Sequence, residues 1–177
     1  MLVLGIDASP STTGFAVYDS VKSDFVHISK VRTKINKSTP TSAKRRLKIC
    51  IELSYLLWQY DIDAVVIEDV YISQLSSALP LAMLRGSIEQ TLFDNGFSDL
   101  YSYTASQVKN VITGNGQASK QEMFDHIVYR FADSPVVRDA LGTELKSKDN
   151  NEKNEDMADA CGVALTFILN PTVAKVA

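Results

Sequence analysis

Cysteine and histidine are scarce in this sequence. Its 177 residues include two cysteines, Cys50 and Cys161, and two histidines, His27 and His126. They lie far apart and form neither a Cys-x-x-Cys nor a His-x-x-x-His pattern, which disfavours a disulfide framework and a zinc site. We predict that both thiols are reduced, as is usual in a cytoplasmic protein.

Long hydrophobic runs are also missing. No apolar stretch approaches the roughly 18 residues needed to cross a bilayer. The apolar N-terminal segment meets Asp7 too early for the core of a signal peptide, and no basic residue precedes it. The sequence therefore predicts a cytoplasmic protein that is not associated with a membrane.

Acidic residues are absent from one segment of an otherwise acidic chain. Between Lys30 and Lys48 there are eight basic residues and no acid, although the net charge of the whole chain is −3. Such a concentrated basic segment is typical of a surface that binds a polyanion. The alternative is a solvated loop and helix face with no ligand.

The length and composition indicate one α/β domain over residues 1–177. Hydrophobic residues make up 45% of the chain, which is enough for a core, and no internal repeat is present. Apolar runs and helical periodicity predict a mixed five-stranded sheet flanked by helices. The predicted strands are residues 2–8, 14–19, 25–31, 64–68 and 100–103. The predicted helices are residues 41–60, 76–93, 104–112, 119–131 and 156–169, the last preceded by a solvated loop at 146–155.

Four acidic residues occupy positions where ligands commonly bind. Asp7 and Glu68 each end an apolar strand, and the crevice beyond such strand ends is the usual ligand site of an α/β sheet. Asp156 and Asp159 lie three residues apart in the first turn of the last helix, so they share one face. Four converging carboxylates would repel one another unless a hard divalent cation lay among them. The alternatives are a helix-capping role for Asp156 and ion pairs for Asp7 and Glu68.

Two lysines flank a glycine-rich turn between two predicted helices. Lys109 precedes the turn at Gly114–Gly116, and Lys120 follows Ser119, a helix-capping residue. Backbone N–H groups at the helix start, together with the two ammonium groups, would form a phosphate site. The alternative is an ordinary connector with surface lysines.

Taken together, these motifs resemble those of the RuvC-type Holliday-junction resolvases. They occur in the family's order and spacing, and the resemblance covers nearly the whole chain. The four segments are Gly5-Ile6-Asp7-x-Ser9-x-x-x-Thr13-Gly14-Phe15-Ala16-Val17, Ile67-Glu68-Asp69-Val70-Tyr71, Lys109 through Thr113-Gly114-Asn115-Gly116 to Lys120, and Asp156-Met157-Ala158-Asp159-Ala160. The segment from Lys109 to Lys120 is the most specific of them.

The resemblance implies a ribonuclease H-like fold and a homodimer that nicks two strands symmetrically at a four-way DNA junction, using Mg²⁺ or Mn²⁺. Tyr71 matches an aromatic position that stacks on a junction base. We add Arg45 and Arg46 of the basic segment to the predicted DNA contacts. The residues that match the family's metal-binding acids are Asp7, Glu68, Asp156 and Asp159, and its phosphate-contacting lysines match Lys109 and Lys120; all six are predicted to be catalytic.

The sequence also departs from the family pattern. The net charge is −3, whereas the cellular enzymes are typically more basic, and residues 71–77 are not the usual bacterial segment. These departures suggest a divergent, bacteriophage-encoded member that accepts several branched DNAs. Three alternatives are a pre-ribosomal-RNA nuclease of the same fold, an actin-like or sugar-kinase-like ATPase, and a non-catalytic junction-binding protein. The ATPase would need a second domain and a second phosphate loop, and neither is found.

Overall fold

The strands form one mixed sheet. The structure is a computed structural model, which describes residues 1–33, 41–69, 75–142, 154–170 and 174–175. The sheet order is β3-β2-β1-β4-β5-β6, with β1, β4 and β5 parallel and the other neighbours antiparallel. The predicted five-stranded mixed sheet is confirmed, and a sixth strand of two residues extends one edge. The strands are β1 (Leu2–Ala8), β2 (Thr12–Asp19), β3 (Asp24–Arg32), β4 (Ala64–Asp69), β5 (Tyr101–Thr104) and β6 (Ala174–Lys175).

Six helices accompany these strands in the described part of the chain. They are α1 (Ser42–Gln59), α2 (Leu75–Asp94), α3 (Ala105–Thr113), α4 (Lys120–Arg130), α5 (Pro135–Leu141) and α6 (Glu155–Leu169). Five of them were predicted to within about two residues at each end, while α5 was not. Its signals are nevertheless present, since Ser134 caps the helix and Pro135 occupies its first turn. Residues 146–153 of the predicted loop lie outside the described ranges, and its predicted end was wrong by one residue, because Glu155 is already helical.

Each face of the sheet is covered by a different set of helices. Side chains of successive strand residues point to opposite faces, so Leu4 and Ile6 pack in the core beneath α1 and α2. Val3 and Val66 pack in the other core, which contains α3, α4, α5 and α6. None of the helices in the described ranges is both long and apolar enough to cross a bilayer.

Helix α6 lies unusually close to the sheet because glycines face it. A Cβ atom added at Gly5 would lie 2.6 Å from the backbone nitrogen of Ala164, and one at Gly14 would overlap the carbonyl oxygen of Asp156. On the opposite side of α6, Gly162 leaves room for the Met123 methyl group of α4. The helix is therefore held by backbone contacts with little freedom to shift.

Candidate active site

The register of the sheet places Asp7 and Glu68 side by side. Ile6 and Ile67 are partners on the parallel strands β1 and β4, and each acid is the next residue along its strand. Asp7 shares a face with Gly5, and Glu68 shares one with Val66, so both carboxylates point toward α6. The two strand-end acids that the sequence singled out therefore meet at one edge of the sheet.

Gly14 determines where the acids of α6 lie. It is the cross-strand partner of Asp7 on β2. Because glycine has no side chain, the backbone of Asp156 occupies the space where a Cβ atom would lie. The first turn of α6 is thereby pressed against the strand next to Asp7. Asp159 follows one turn later on the same helical face. Gly14 belongs to the first sequence motif, but its role in positioning Asp156 was not predicted.

The pKa values show that the four acids form one electrostatic cluster. Burial raises the pKa of Asp7 well above its ordinary value, and the charges of Asp159, Glu68 and Asp156 raise it further. Burial and the charge of Asp159 raise the pKa of Glu68 to about 7. Burial, with a contribution from Asp156, raises the pKa of Asp159 to about 6. Burial also raises the pKa of Asp156.

The two predicted lysines lie beside this cluster. The charge of Lys120 lowers the pKa of all four acids, opposing the upward shifts, and Lys109 does the same for Glu68 and Asp159. Both lysines are positioned by well-capped helices. Gly114 ends α3 in the left-handed conformation, with a φ of 77°, and Ser119 caps α4. The structure thus brings together the six residues predicted to be catalytic.

A cavity opens beside the acids at the carboxyl ends of β1, β4 and β5. Its volume is about 510 Å³, within the range of small-molecule sites. Asp7 and Glu68 form one wall, and Thr104 at the end of β5, together with Ser106 at the beginning of α3, forms another. Asp7 and Glu68 are therefore accessible to a small ligand from this cavity.

The donor set has the chemistry of a divalent-metal site but not yet its geometry. Among the described residues, no three carboxylate, histidine or cysteine side chains lie close enough to hold a metal ion. The four acids nevertheless offer hard oxygen donors, which Mg²⁺ and Mn²⁺ prefer. Burial raises the pKa values of Asp7 and Glu68, and the charges of neighbouring acids raise them further, so a cation at this place would be stabilised. The residues fit a divalent cation, provided that the carboxylates close around it.

The other predicted DNA contacts lie on α1 or outside the described residues. Arg45 donates hydrogen bonds to the Pro10 carbonyl and, at 3.2 Å, to Thr33 Oγ1, so it ties α1 to the β1–β2 turn. Arg46 lines a groove between α1 and α2. Tyr71 and residues 34–40 lie outside the described ranges.

Comparisons with known proteins assign the family. The family model described as crossover junction endodeoxyribonuclease RuvC matches residues 3–167. A RuvC endonuclease of Caldicellulosiruptor saccharolyticus is 34% identical over 173 residues, covering 96% of this chain and 93% of the relative. Another, from Trichlorobacter lovleyi, is 36% identical over 127 residues, covering 70% and 68%. These matches disfavour the ATPase and the pre-ribosomal-RNA nuclease.

Solved structures confirm the ribonuclease H-like fold. RuvC of Thermus thermophilus, solved with a Holliday junction substrate, superimposes with a TM-score of 0.72 at 22% identity, covering 99% of both chains. The yeast mitochondrial Holliday junction resolvase gives a TM-score of 0.62 at 16% identity, covering 94% of this chain and 77% of that one. With its motifs, its fold and a family match over most of its length in agreement, the chain belongs to the RuvC family of crossover junction endodeoxyribonucleases.

Proposed function

We propose that this chain is a metal-dependent endonuclease that nicks four-way DNA junctions, and other branched DNAs, by hydrolysing phosphodiester bonds. The observation that carries the proposal is the joint cluster of four acids and two lysines. These six residues come from five separate elements, β1, β4, α3, α4 and α6. They nevertheless lie close enough for their charges to shift the pKa values of the acids. Residues 1–177 form the single domain that supports this activity.

Nucleases of the RuvC family depend on divalent metal ions. In this chain we assign Mg²⁺ or Mn²⁺ to Asp7, Glu68, Asp156 and Asp159. A bound cation would supply activation of a water molecule and neutralisation of charge on the leaving 3′ oxygen. Burial and the repulsion of neighbouring acids raise the pKa values of Asp7 and Glu68, and this positive charge would oppose both effects.

The lysines contact the phosphate in the proposed reaction. Lys109 and Lys120 bind the scissile phosphodiester and offset the negative charge that develops on it. The acids orient the reacting groups, and water is the nucleophile, since the predicted site supplies no serine or cysteine paired with a base. The cavity beside Asp7 and Glu68 receives the nucleotide next to the cleaved bond.

Junction recognition and cellular location remain predictions from the sequence. Tyr71 follows Glu68 by three residues, and an aromatic ring at the rim of the site would stack on a splayed junction base, with about 1–3 kcal/mol per base. Arg45 and Arg46 are the predicted contacts in the basic segment. Cytoplasmic location and a bacteriophage source are likewise predictions.

The outer surface of α1 supports the proposed homodimer. Four large apolar side chains line one face of this helix: Leu47, Ile51, Tyr55 and Trp58, with exposed fractions of 59%, 60%, 49% and 80%. We call them the α1 stripe. It borders the groove of about 540 Å³ between α1 and α2. An exposed apolar surface of this kind marks an interaction site.

A second copy of the chain would complement the α1 stripe. Exposed Lys44 lies at the beginning of α1, and exposed Asp61 follows its end. Two α1 helices packed antiparallel about a two-fold axis would therefore bring opposite charges together around the paired stripes. Such a dimer carries two active sites, as symmetric nicking of two strands requires.

The activity is tested with purified protein, a synthetic four-way junction and a linear duplex of the same sequence, with and without Mg²⁺. We expect paired nicks in the junction only when Mg²⁺ or Mn²⁺ is present. Asp7→Asn should lower the single-turnover rate by about 10³-fold, because a catalytic cation contributes several kcal/mol. Junction binding should be retained or strengthened, since one negative charge is removed.

An exposed carboxylate away from the site provides the matched control. Asp139→Asn on α5 removes the same charge from the surface and should cleave like the wild-type protein. Cleavage of the linear duplex as fast as the junction would contradict junction selectivity. Near wild-type cleavage by Asp7→Asn would contradict the assignment of the active site.

A further inference from the structure

Lys120 is held by an acidic residue that the sequence motifs do not include. Its Nζ atom lies 2.7 Å from Glu155 Oε2, and the ammonium group donates a hydrogen bond to that oxygen. Lys120 begins α4, and Glu155 begins α6, directly before Asp156. The ion pair therefore joins the starts of two helices that both carry predicted catalytic residues.

The two partners differ in how firmly they are placed. The Glu155 side chain is 13% exposed, whereas the Lys120 side chain is 56% exposed. Glu155 also lies in the first turn of α6, where the helix dipole favours an acid and Gly14 fixes the neighbouring backbone. Lys120 lies at the start of α4, where the same dipole disfavours a cation, and its long side chain has many rotamers. Glu155 is therefore the fixed member of the pair, and Lys120 is the one that is oriented.

Asn154 strengthens the placement of Glu155. Its side chain does not cap α6; it donates to the Leu141 carbonyl at 2.8 Å and accepts from Lys30 Nζ at 3.1 Å. The residue before Glu155 is thereby tied to the end of α5 and to β3. The start of α6 is thus anchored from three sides: by β2, by β3 and by α5.

We propose that Glu155 is a positioning residue, which holds the Lys120 ammonium group over the four carboxylates so that it meets the scissile phosphate in the correct place. This role rests on the proposed nuclease function and adds a seventh side chain to it. Misplacement of a phosphate-binding group by about 1 Å is enough to cost up to 10²-fold in rate. Glu155 acts through Lys120 and contacts neither the phosphate nor the water.

The alternative role for Glu155 is to keep Lys120 away from the DNA, and it predicts the opposite effect on the cleavage rate. If Glu155 sequestered Lys120 from the DNA, removal of its charge would free the lysine and would speed cleavage. If Glu155 positions Lys120, the same change slows cleavage while leaving the affinity for the junction nearly unchanged, because the lysine and its charge are still present.

The test compares Glu155→Gln, Glu155→Asp, Lys120→Gln and the double variant Glu155→Gln/Lys120→Gln, with Asp139→Asn as control. Single-turnover cleavage is measured in Mg²⁺ and junction affinity in Ca²⁺. We expect Glu155→Gln to lower the rate by about 10-fold or more, with an affinity within about twofold of wild type. Glu155→Asp should recover part of the rate. In the Lys120→Gln background, Glu155→Gln should have no further effect.

A measurement on the protein alone reports the position of the lysine. In Glu155→Gln, the order parameter of the Lys120 ammonium group from ¹⁵N relaxation should fall. The melting temperature should stay within about 3 °C, because an ion pair whose lysine is mostly exposed adds little stability. A wild-type rate, a faster rate, additive losses in the double variant or an unchanged order parameter would each overturn the proposal. Failure of the wild-type protein to cut the junction would instead overturn the proposed function.

Discussion

The two faces of the sheet are packed by different means. On the α6 face, Gly5 and Gly14 bring a helix backbone directly against the strands. On the α1–α2 face, large aliphatic side chains such as Leu4, Ile6 and Ile67 fill the space below the helices. The first arrangement fixes the position of a helix closely, while the second tolerates small shifts, since side chains repack more easily than backbones.

The difference matches what each face carries. The α6 face holds the four acids and two lysines, whose chemistry depends on precise placement. The outer surface of α1 holds the exposed α1 stripe instead, which needs a complementary partner rather than precise side-chain geometry. We infer that catalysis is confined to one face of the sheet and assembly to the other, and the predictions below test that division.

The largest expected effect concerns assembly. Ile51→Glu places a charge in the α1 stripe and, in a two-fold dimer, opposes two such charges. We expect dimerisation to weaken by at least about 30-fold, since central apolar interface residues contribute about 2 kcal/mol or more. Light scattering coupled to size-exclusion chromatography measures the change.

Tyr129→Glu is the matched control for assembly. Tyr129 is 87% exposed, but it lies on α4, which packs on the opposite face of the sheet. This variant should remain dimeric. A monomeric wild-type protein, or a dimeric Ile51→Glu, would show that the α1 stripe is not the dimer surface.

The second prediction disturbs the α6 face. Gly14→Ala forces a Cβ atom onto the Asp156 carbonyl, and we expect a loss of about 1–3 kcal/mol in the free energy of unfolding. Because Asp156 must move away from Asp7, cleavage should fall further than the remaining folded fraction explains. Denaturant unfolding and single-turnover cleavage are measured on the same sample.

A second glycine gives the contrast for this variant. Gly86 lies inside α2, and a Cβ added there meets no atom within 4 Å. Gly86→Ala should therefore raise the free energy of unfolding by about 0.5–1 kcal/mol, because alanine has the higher helix propensity. Equal stability changes in the two variants would mean that backbone contact at Gly14 is unimportant.

The sequence predicted residue types at the site better than it predicted their supports. Asp7 and Glu68 were recognisable because each ends an apolar strand, and Asp156 and Asp159 because of their helical spacing. The support from Gly14 was missed, since a glycine in a strand gives no sign of which backbone will approach it. Glu155 was assigned to a loop because the polar residues before it hide the start of α6. Arg45 stays a predicted DNA contact, but its bond to Pro10 was not predicted, because nothing in its surroundings in the sequence indicates it.

The third prediction concerns pH in the absence of metal. The folded-state pKa values of Glu68 and Asp159 are raised to about 7 and about 6. Both groups bind protons more tightly in the folded protein than in the unfolded chain. Their stabilising contribution is therefore full below about pH 4 and is lost as the pH rises through 6 and 7. In EDTA, the melting temperature should fall between pH 5 and pH 8.

Two further measurements separate this effect from the remaining titrating groups. Mg²⁺ should raise the melting temperature more at pH 8 than at pH 5, because protons compete with the cation for the carboxylates. Asp159→Asn should flatten the pH dependence, since the charge of Asp159 raises the pKa values of both Asp7 and Glu68. A melting temperature that rises with pH in EDTA would contradict the coupling of these acids.

The smallest expected effect shows whether Arg46 of the basic segment contacts DNA or the second copy of the chain. Arg46→Gln should reduce the slope of log affinity against log salt by about one unit if Arg46 contacts a DNA phosphate. Arg45→Gln is the companion variant: Arg45 is also a predicted DNA contact, but because its guanidinium is bonded to Pro10 and Thr33, its loss should in addition lower the free energy of unfolding. Arg46 also lines the α1–α2 groove beside the α1 stripe. An unchanged salt slope combined with a weaker dimer would therefore assign Arg46 to the partner surface, and phosphate binding would then rest on the lysines of the α6 face.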